Sequence, residues 1–178
     1  QSSSAAWESG NTPQRSISIS GIWGYSNETK NGGTITSGLD SSSTATSFIC
    51  SDSSKIGVGA TLLIDSERIF ISDKSSAALG SILLNGALTA TKSQVTVTVD
   101  GSHGIVAGEI IQVESERMYI ESVSTNDLTV IRAYDGSVLA AHNDDSAVHI
   151  FRTLTIERAA NGTTAATHSD STTILIYK

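Results

Sequence analysis

The sequence predicts an all-β protein built from duplicated small β-barrel or β-sandwich modules, one inserted in the other, with an extended N-terminal arm. Three observations predict it. Ser and Thr supply 50 of the 178 residues, while Pro, Met and Cys occur once each. That composition is poor in helix formers and rich in β-compatible residues. Short apolar–polar alternations recur, as in Val95-Thr96-Val97-Thr98-Val99, Leu128-Thr129-Val130 and Leu154-Thr155-Ile156. The chain also repeats itself twice without a gap.

In chain order, residues 1–45 read as a Ser/Gly-rich arm or an edge-strand segment. Ile17 and Ile19 alternate with serines and lead into Ile22-Trp23-Gly24-Tyr25, a strand signature with aromatic anchors. Large aromatics in a polar arm pack on something, so Trp7, Trp23 and Tyr25 are the candidate subunit contacts. The other reading makes this segment an edge strand of the same domain. From residue 46 onward strand follows strand. The best helix candidates, Ser75 to Leu79 and Ser137 to His142, span a turn or two.

Residues 46–72 lie over 95–121 at an offset of 49, and 128–151 lie over 154–177 at an offset of 26. Seven of 27 and nine of 24 positions are identical, where chance gives one or two, so the repeats are real. The predicted organisation is a first module of residues 46–94 plus 152–178, split by a second module of residues 95–151. The alternative makes residues 79–94 a worn second half in a tandem array. Asn85-Gly86 and Ala90-Thr91 stand 76 residues before Asn161-Gly162 and Ala166-Thr167.

A residue that recurs in both copies serves the fold before it serves a single active site. Gly59 and Gly108 precede strands and suit turns needing positive φ. Gly136 and Gly162 follow Asp135 and Asn161, two strong turn pairs. Glu67 and Glu116 are each followed by Arg. Neighbours on a strand face opposite sides, so each glutamate is expected to pair across strands with Arg132 or Arg158. His142 and His168 each have Asp two residues on, at Asp144 and Asp170, a spacing that shares one strand face. Their equivalence argues for capping a turn or bonding a strand end, rather than for metal binding or catalysis. His103 and His149 have no counterpart.

The remaining inventory excludes more than it assigns. The net charge is −7 with no basic block, which argues against nucleic-acid or anionic-membrane binding. No apolar run approaches the length of a membrane span. Cys50 is the only cysteine and reads as a buried small hydrophobe, without a disulfide or thiolate–metal partner. The chain opens polar and without methionine, as a processed product or part of a longer chain does. Nucleotide-binding glycine loops, zinc helices and nucleophile elbows are missing, and Asn143-Asp144-Asp145 lacks EF-hand spacing. No cofactor and no metal is expected.

The run Gly108-Glu109-Ile110-Ile111-Gln112-Val113-Glu114-Ser115-Glu116-Arg117-Met118-Tyr119-Ile120, with Leu128-Thr129-Val130-Ile131-Arg132 through His142, resembles a β-module common in tailed-bacteriophage virion proteins. Leu154 through His168 resembles it again. Ala133 and Ala159 stand where the pattern often has Gly. The resemblance covers about residues 46–178. It implies a non-enzymatic structural protein of the virion, in tail, baseplate, fibre attachment or head decoration. Such a protein assembles in the host cytoplasm as a homo-oligomer with other virion proteins. The alternative is an extracellular β-sandwich binding module of glycan-binding or adhesin type, which wants aromatics clustered on one face; only nine exist. A glycan hydrolase would need two carboxylates across a cleft, and the equivalence of Glu67 and Glu116 argues against that.

Overall fold

The computed structural model describes residues 27–40 and 44–177. Among them there is no α-helix and there are ten strands. These are β1 (Thr29–Thr34), β2 (Ser47–Ile49), β3 (Thr61–Ile64), β4 (Glu67–Leu83), β5 (Thr96–Thr98), β6 (Ile110–Val113), β7 (Glu116–Ser124), β8 (Asp127–Ile131), β9 (Ala147–Glu157) and β10 (Thr173–Tyr177). All pairings are antiparallel, in the order β1-β10-β3-β4-β9-β6-β7-β8-β5, with β2 also on β9.

Two isolated bridges bend this sheet into two closed rings. Ile35 pairs with Cys50, so the chain leaving β1 meets the chain leaving β2. The first ring is therefore β1, β10, β3, the first half of β4, the second half of β9, and β2. Leu84 pairs with Val99 in the same way. That closes a second ring from the rest of β4, the rest of β9, β6, β7, β8 and β5. Closure removes the unpaired sheet edges that a flat array would expose.

Period-two alternation fills each ring. In β3 and β4, Leu62, Ile64, Ile69 and Ile71 point inward and are fully buried. Ile111, Val113, Met118 and Ile120 do the same in β6 and β7. The described residues thus form two separate cores, one inside each ring. Each core holds thirteen side chains, and each of the thirteen has its counterpart in the other core at an offset of 49 or 26.

The cores move the module boundaries expected from sequence. Leu84 and Leu88 belong to the second core, with Val97 and Val99, not to a first module ending at residue 94. Their counterparts Ile35 and Leu39 lie in the first core, so residues 29–40 are part of the first ring rather than of an arm. Residues 79–94 therefore match 30–45, not a worn second half. In the second ring a tight turn at Thr125-Asn126 joins β7 to β8. The matching positions in the first ring are Ser76 and Arg152, and residues 77–151 run between them.

Neither helix candidate is helical. Ser75 and Ala77-Ala78 pair with Thr153 and Ile150-His149, because β4 carries on from one ring into the next. Residues 137–141 follow the turn at Asp135-Gly136 as irregular loop. Trp7, Trp23, Tyr25 and the strand expected at residues 17–25 lie outside the described residues.

A first expected result follows from the boundaries. A chain starting at Thr46 loses β1 together with Ile35 and Leu39, each worth about 2–5 kcal/mol as buried apolar side chains. Amide hydrogen exchange should show β3 and β10 unprotected in that chain while β6, β7 and β8 stay protected. Unchanged protection of β10 would contradict the ring closure.

Candidate functional site

Two buried charge networks sit inside the rings, one in each. Glu116 opens β7 and points into the second core, where it is fully buried. Arg132, just past the end of β8, comes to it as a fork: Nε donates to Oε1 at 2.7 Å and Nη2 to Oε2 at 2.9 Å. The amides of Ala133 and Ala140 each donate to this carboxylate at 3.0 Å. His142 Nε2 lies 2.9 Å from Oε2. The Arg132 guanidinium also donates to the carbonyls of Ala140 at 2.7 Å and Thr89 at 3.3 Å. One carboxylate thereby ties β7, the end of β8, the loop up to His142 and the chain at Thr89.

The first ring repeats this arrangement contact for contact. Glu67 accepts from Arg158 Nε at 2.8 Å and Nη2 at 2.7 Å, and from the amides of Ala159 and Ala166 at 3.0 and 3.1 Å. His168 Nε2 lies 2.8 Å away. Arg158 donates to the Ala166 and Asp40 carbonyls, the counterparts of Ala140 and Thr89. Ala133 and Ala159 both adopt left-handed backbone, φ 54° and 55°, a conformation that glycine takes at less cost. Gly59 and Gly108 hold φ of 87° and 91° at the turns ahead of β3 and β6.

Burial alone would raise the pKa of either glutamate. The arginine fork, the two loop amides and the histidine outweigh it, and both carboxyls are held at about 2. With five donors around it, such a carboxylate has no lone pair left to act as a base.

The glutamates do not pair with the arginines that follow them. Arg68 turns outward, donates Nε to the Tyr177 hydroxyl at 3.1 Å and lies over its ring. Arg117 pairs with Asp135 and lies over Phe151. The histidines do not use the aspartates two residues on. Asp144 instead accepts the Gly86 amide, and Asp170 the Ser171 amide. The second acid on His142 is Glu114, 3.0 Å from Nδ1, and on His168 it is Asp65, 2.7 Å away. Sequence reasoning missed both. Their signal is an acid recurring two residues ahead of the repeated glutamate. Both sit in left-handed turn positions, φ 53° and 52°.

A third buried network lies between the rings and is not repeated. Glu109 accepts from Arg152 Nε and Nη2, each at 2.7 Å. It also takes the Ser53 amide and hydroxyl at 3.0 and 3.2 Å and the Val106 amide at 3.0 Å. Lys74 donates to the Ser53 and Ile56 carbonyls at 2.8 and 3.1 Å, and its own burial pulls its pKa down. The repeat counterparts of Glu109, Arg152 and Lys74 are Ala60, Asn126 and Val123. Arg152 occupies an inward position of β9 between Ile150 and Leu154, where the strand passes from one core to the other. The charge is unrepeated because only here do two rings meet.

Two clefts flank this junction. One of about 270 Å³ is lined by Thr36, Ile49, Ala77, Leu79 and Ile150 among others. The other, of about 300 Å³, is bordered by Val58, Lys74, Arg117, Asp135 and Phe151. Among the described residues no group of three His, Cys, Asp or Glu side chains is placed to hold a metal ion. No helix among them is long and apolar enough to cross a membrane.

Cys50 is fully buried in the first core, and burial pushes its thiol to about 11. A thiol reagent such as iodoacetamide should therefore label it only after denaturation; labelling of the native chain at neutral pH would contradict this placement.

No protein family, curated protein or solved structure matches this chain.

Proposed function

We propose that this chain is a non-enzymatic structural protein of a tailed-phage virion, acting through contacts with copies of itself and with other virion proteins. The observation that carries the reading is how the buried charges are used. Glu67 and Glu116, the repeated acids a hydrolase would need, are saturated by internal donors in equivalent places. They hold loops to strands. The thirteen-for-thirteen matching of the cores supports duplication by insertion of one barrel into a hairpin tip of another. The product is a rigid two-barrel block whose clefts lie at the seam. Val58, 61% exposed beside one cleft, and Ile49, 42% exposed beside the other, offer apolar surface to a neighbouring subunit. Trp7, Trp23 and Tyr25 belong to this reading as contact residues supplied by the N-terminal segment.

The test is particle composition. Mass spectrometry of gradient-purified particles of the phage that encodes the chain should find it at a fixed copy number per particle. Its presence in the lysate but not in the particles would sink the proposal.

A further inference from the structure

We propose that His142 and His168 are held as imidazolium ions, protonated on both ring nitrogens, and that these protons are part of the folded structure. Each ring lies between two carboxylates. His142 sets Nε2 at 2.9 Å from Glu116 and Nδ1 at 3.0 Å from Glu114. His168 sets Nε2 at 2.8 Å from Glu67 and Nδ1 at 2.7 Å from Asp65. An ionised carboxylate only accepts hydrogen bonds, whereas a neutral imidazole has one N–H and one bare nitrogen. A neutral ring would therefore press a bare nitrogen against a carboxylate oxygen in both barrels.

The carboxylates do not supply the missing proton. Glu116 and Glu67 already accept from an arginine fork and two loop amides each. Glu114 and Asp65 keep 61% and 60% of their side chains in water, where a carboxyl is an anion at neutral pH. The charges facing each ring complete the account. Around His142 they are Glu114 from the turn after β6, Glu116 from β7 and Arg132 from the end of β8. Around His168 they are Asp65, Glu67 and Arg158 from the matching elements. The strand partners Leu88 and Leu39 exchange backbone hydrogen bonds with the histidines and carry no charge. Two acids, one arginine and one imidazolium sum to zero. The imidazolium answers the exposed acid of each ring, Glu114 or Asp65, because the buried pairs Glu116–Arg132 and Glu67–Arg158 already balance each other.

His103 is the built-in contrast. Its Nε2 faces the Thr125 carbonyl at 2.9 Å and its Nδ1 accepts the Ile105 amide at 3.0 Å. That pair of partners fits a neutral ring with its proton on Nε2.

Long-range ¹H–¹⁵N spectra of the full chain near neutral pH test this, with signals assigned through His103→Gln, His142→Gln and His168→Gln. The expected spectrum shows His142 and His168 with two protonated nitrogens and His103 with one bare. A bare nitrogen on His142 and His168 would overturn the proposal. Where a histidine variant fails to fold, Glu114→Gln keeps the question open to decision. A glutamine amide can accept from Nδ1 or donate to it, so the ring no longer needs its second proton. In Glu114→Gln the spectrum should show a bare nitrogen on His142 while His168 keeps both protons. Both nitrogens of His142 still protonated in that variant would show that Glu114 does not hold the ring's second proton, and the proposal would fall.

Discussion

Replacing Glu116 by alanine should destabilise the chain by about 3–5 kcal/mol, the cost of leaving one partner of a buried ion pair uncompensated. The reason is the number of groups it orphans. Arg132, 1% exposed, loses the carboxylate that both its Nε and Nη2 address. The amides of Ala133 and Ala140 lose their acceptor, and His142 loses one of its two. Glu67→Ala should cost a similar amount, because Arg158, Ala159, Ala166 and His168 are orphaned in the same way. Urea unfolding reads both values. A loss below about 1 kcal/mol in either variant would mean that the networks decorate the cores rather than hold them. By contrast, the exposed pair Arg117–Asp135 should contribute less than about 1 kcal/mol, as surface pairs do.

Acid should remove most of the same stabilisation in the wild-type chain. The folded glutamates titrate at about 2, against an ordinary value of 4.5. A carboxyl whose folded pKa is depressed binds its proton more readily when unfolded. Its contribution is therefore complete above about pH 4.5 and disappears as the pH falls through about 2. That gap is worth about 3 kcal/mol for each glutamate, or on the order of 6 for the pair. Unfolding free energy measured from pH 5 to pH 2 should fall by that order. In a Glu67→Gln, Glu116→Gln double variant the slope should largely vanish. A wild-type curve flat down to pH 2.5 would contradict the paired, fully donated state of the carboxylates.

Much of this is readable in the residues, and the unread part has physical causes. Strands followed from alternation, and the pairing of Glu67 and Glu116 with Arg158 and Arg132 followed from repetition of polar residues among apolar ones. The acids that face His142 and His168 are not legible from proximity in the sequence, where the nearest acids are Asp144 and Asp170. The left-handed turns at Asp65 and Glu114, which the sequence does not announce, bring the actual acids to the rings. Leu84 and Leu88 were assigned to the wrong module because a short apolar match, Ile35 with Leu84, is nearly silent beside Ser-Glu-Arg. Ser75 to Leu79 has helical composition, but pairing of β4 with β9 decides its conformation. The junction of Glu109 with Arg152 was hidden for the opposite reason. Repetition draws attention to what recurs, and an interface between copies is built from what does not.

The most direct measurement is native-state hydrogen exchange at the amides of Ala133, Ala140, Ala159 and Ala166. All four lie outside the strands, where loop amides ordinarily exchange fast. Because each donates to a buried glutamate, all four should be protected like strand amides. They should also form two matched pairs and lose protection together as the pH falls below about 4. Exchange at open-loop rates in either pair would show that the carboxylate of that ring does not hold its loop, and the account of two barrels fastened by matched ion networks would fail.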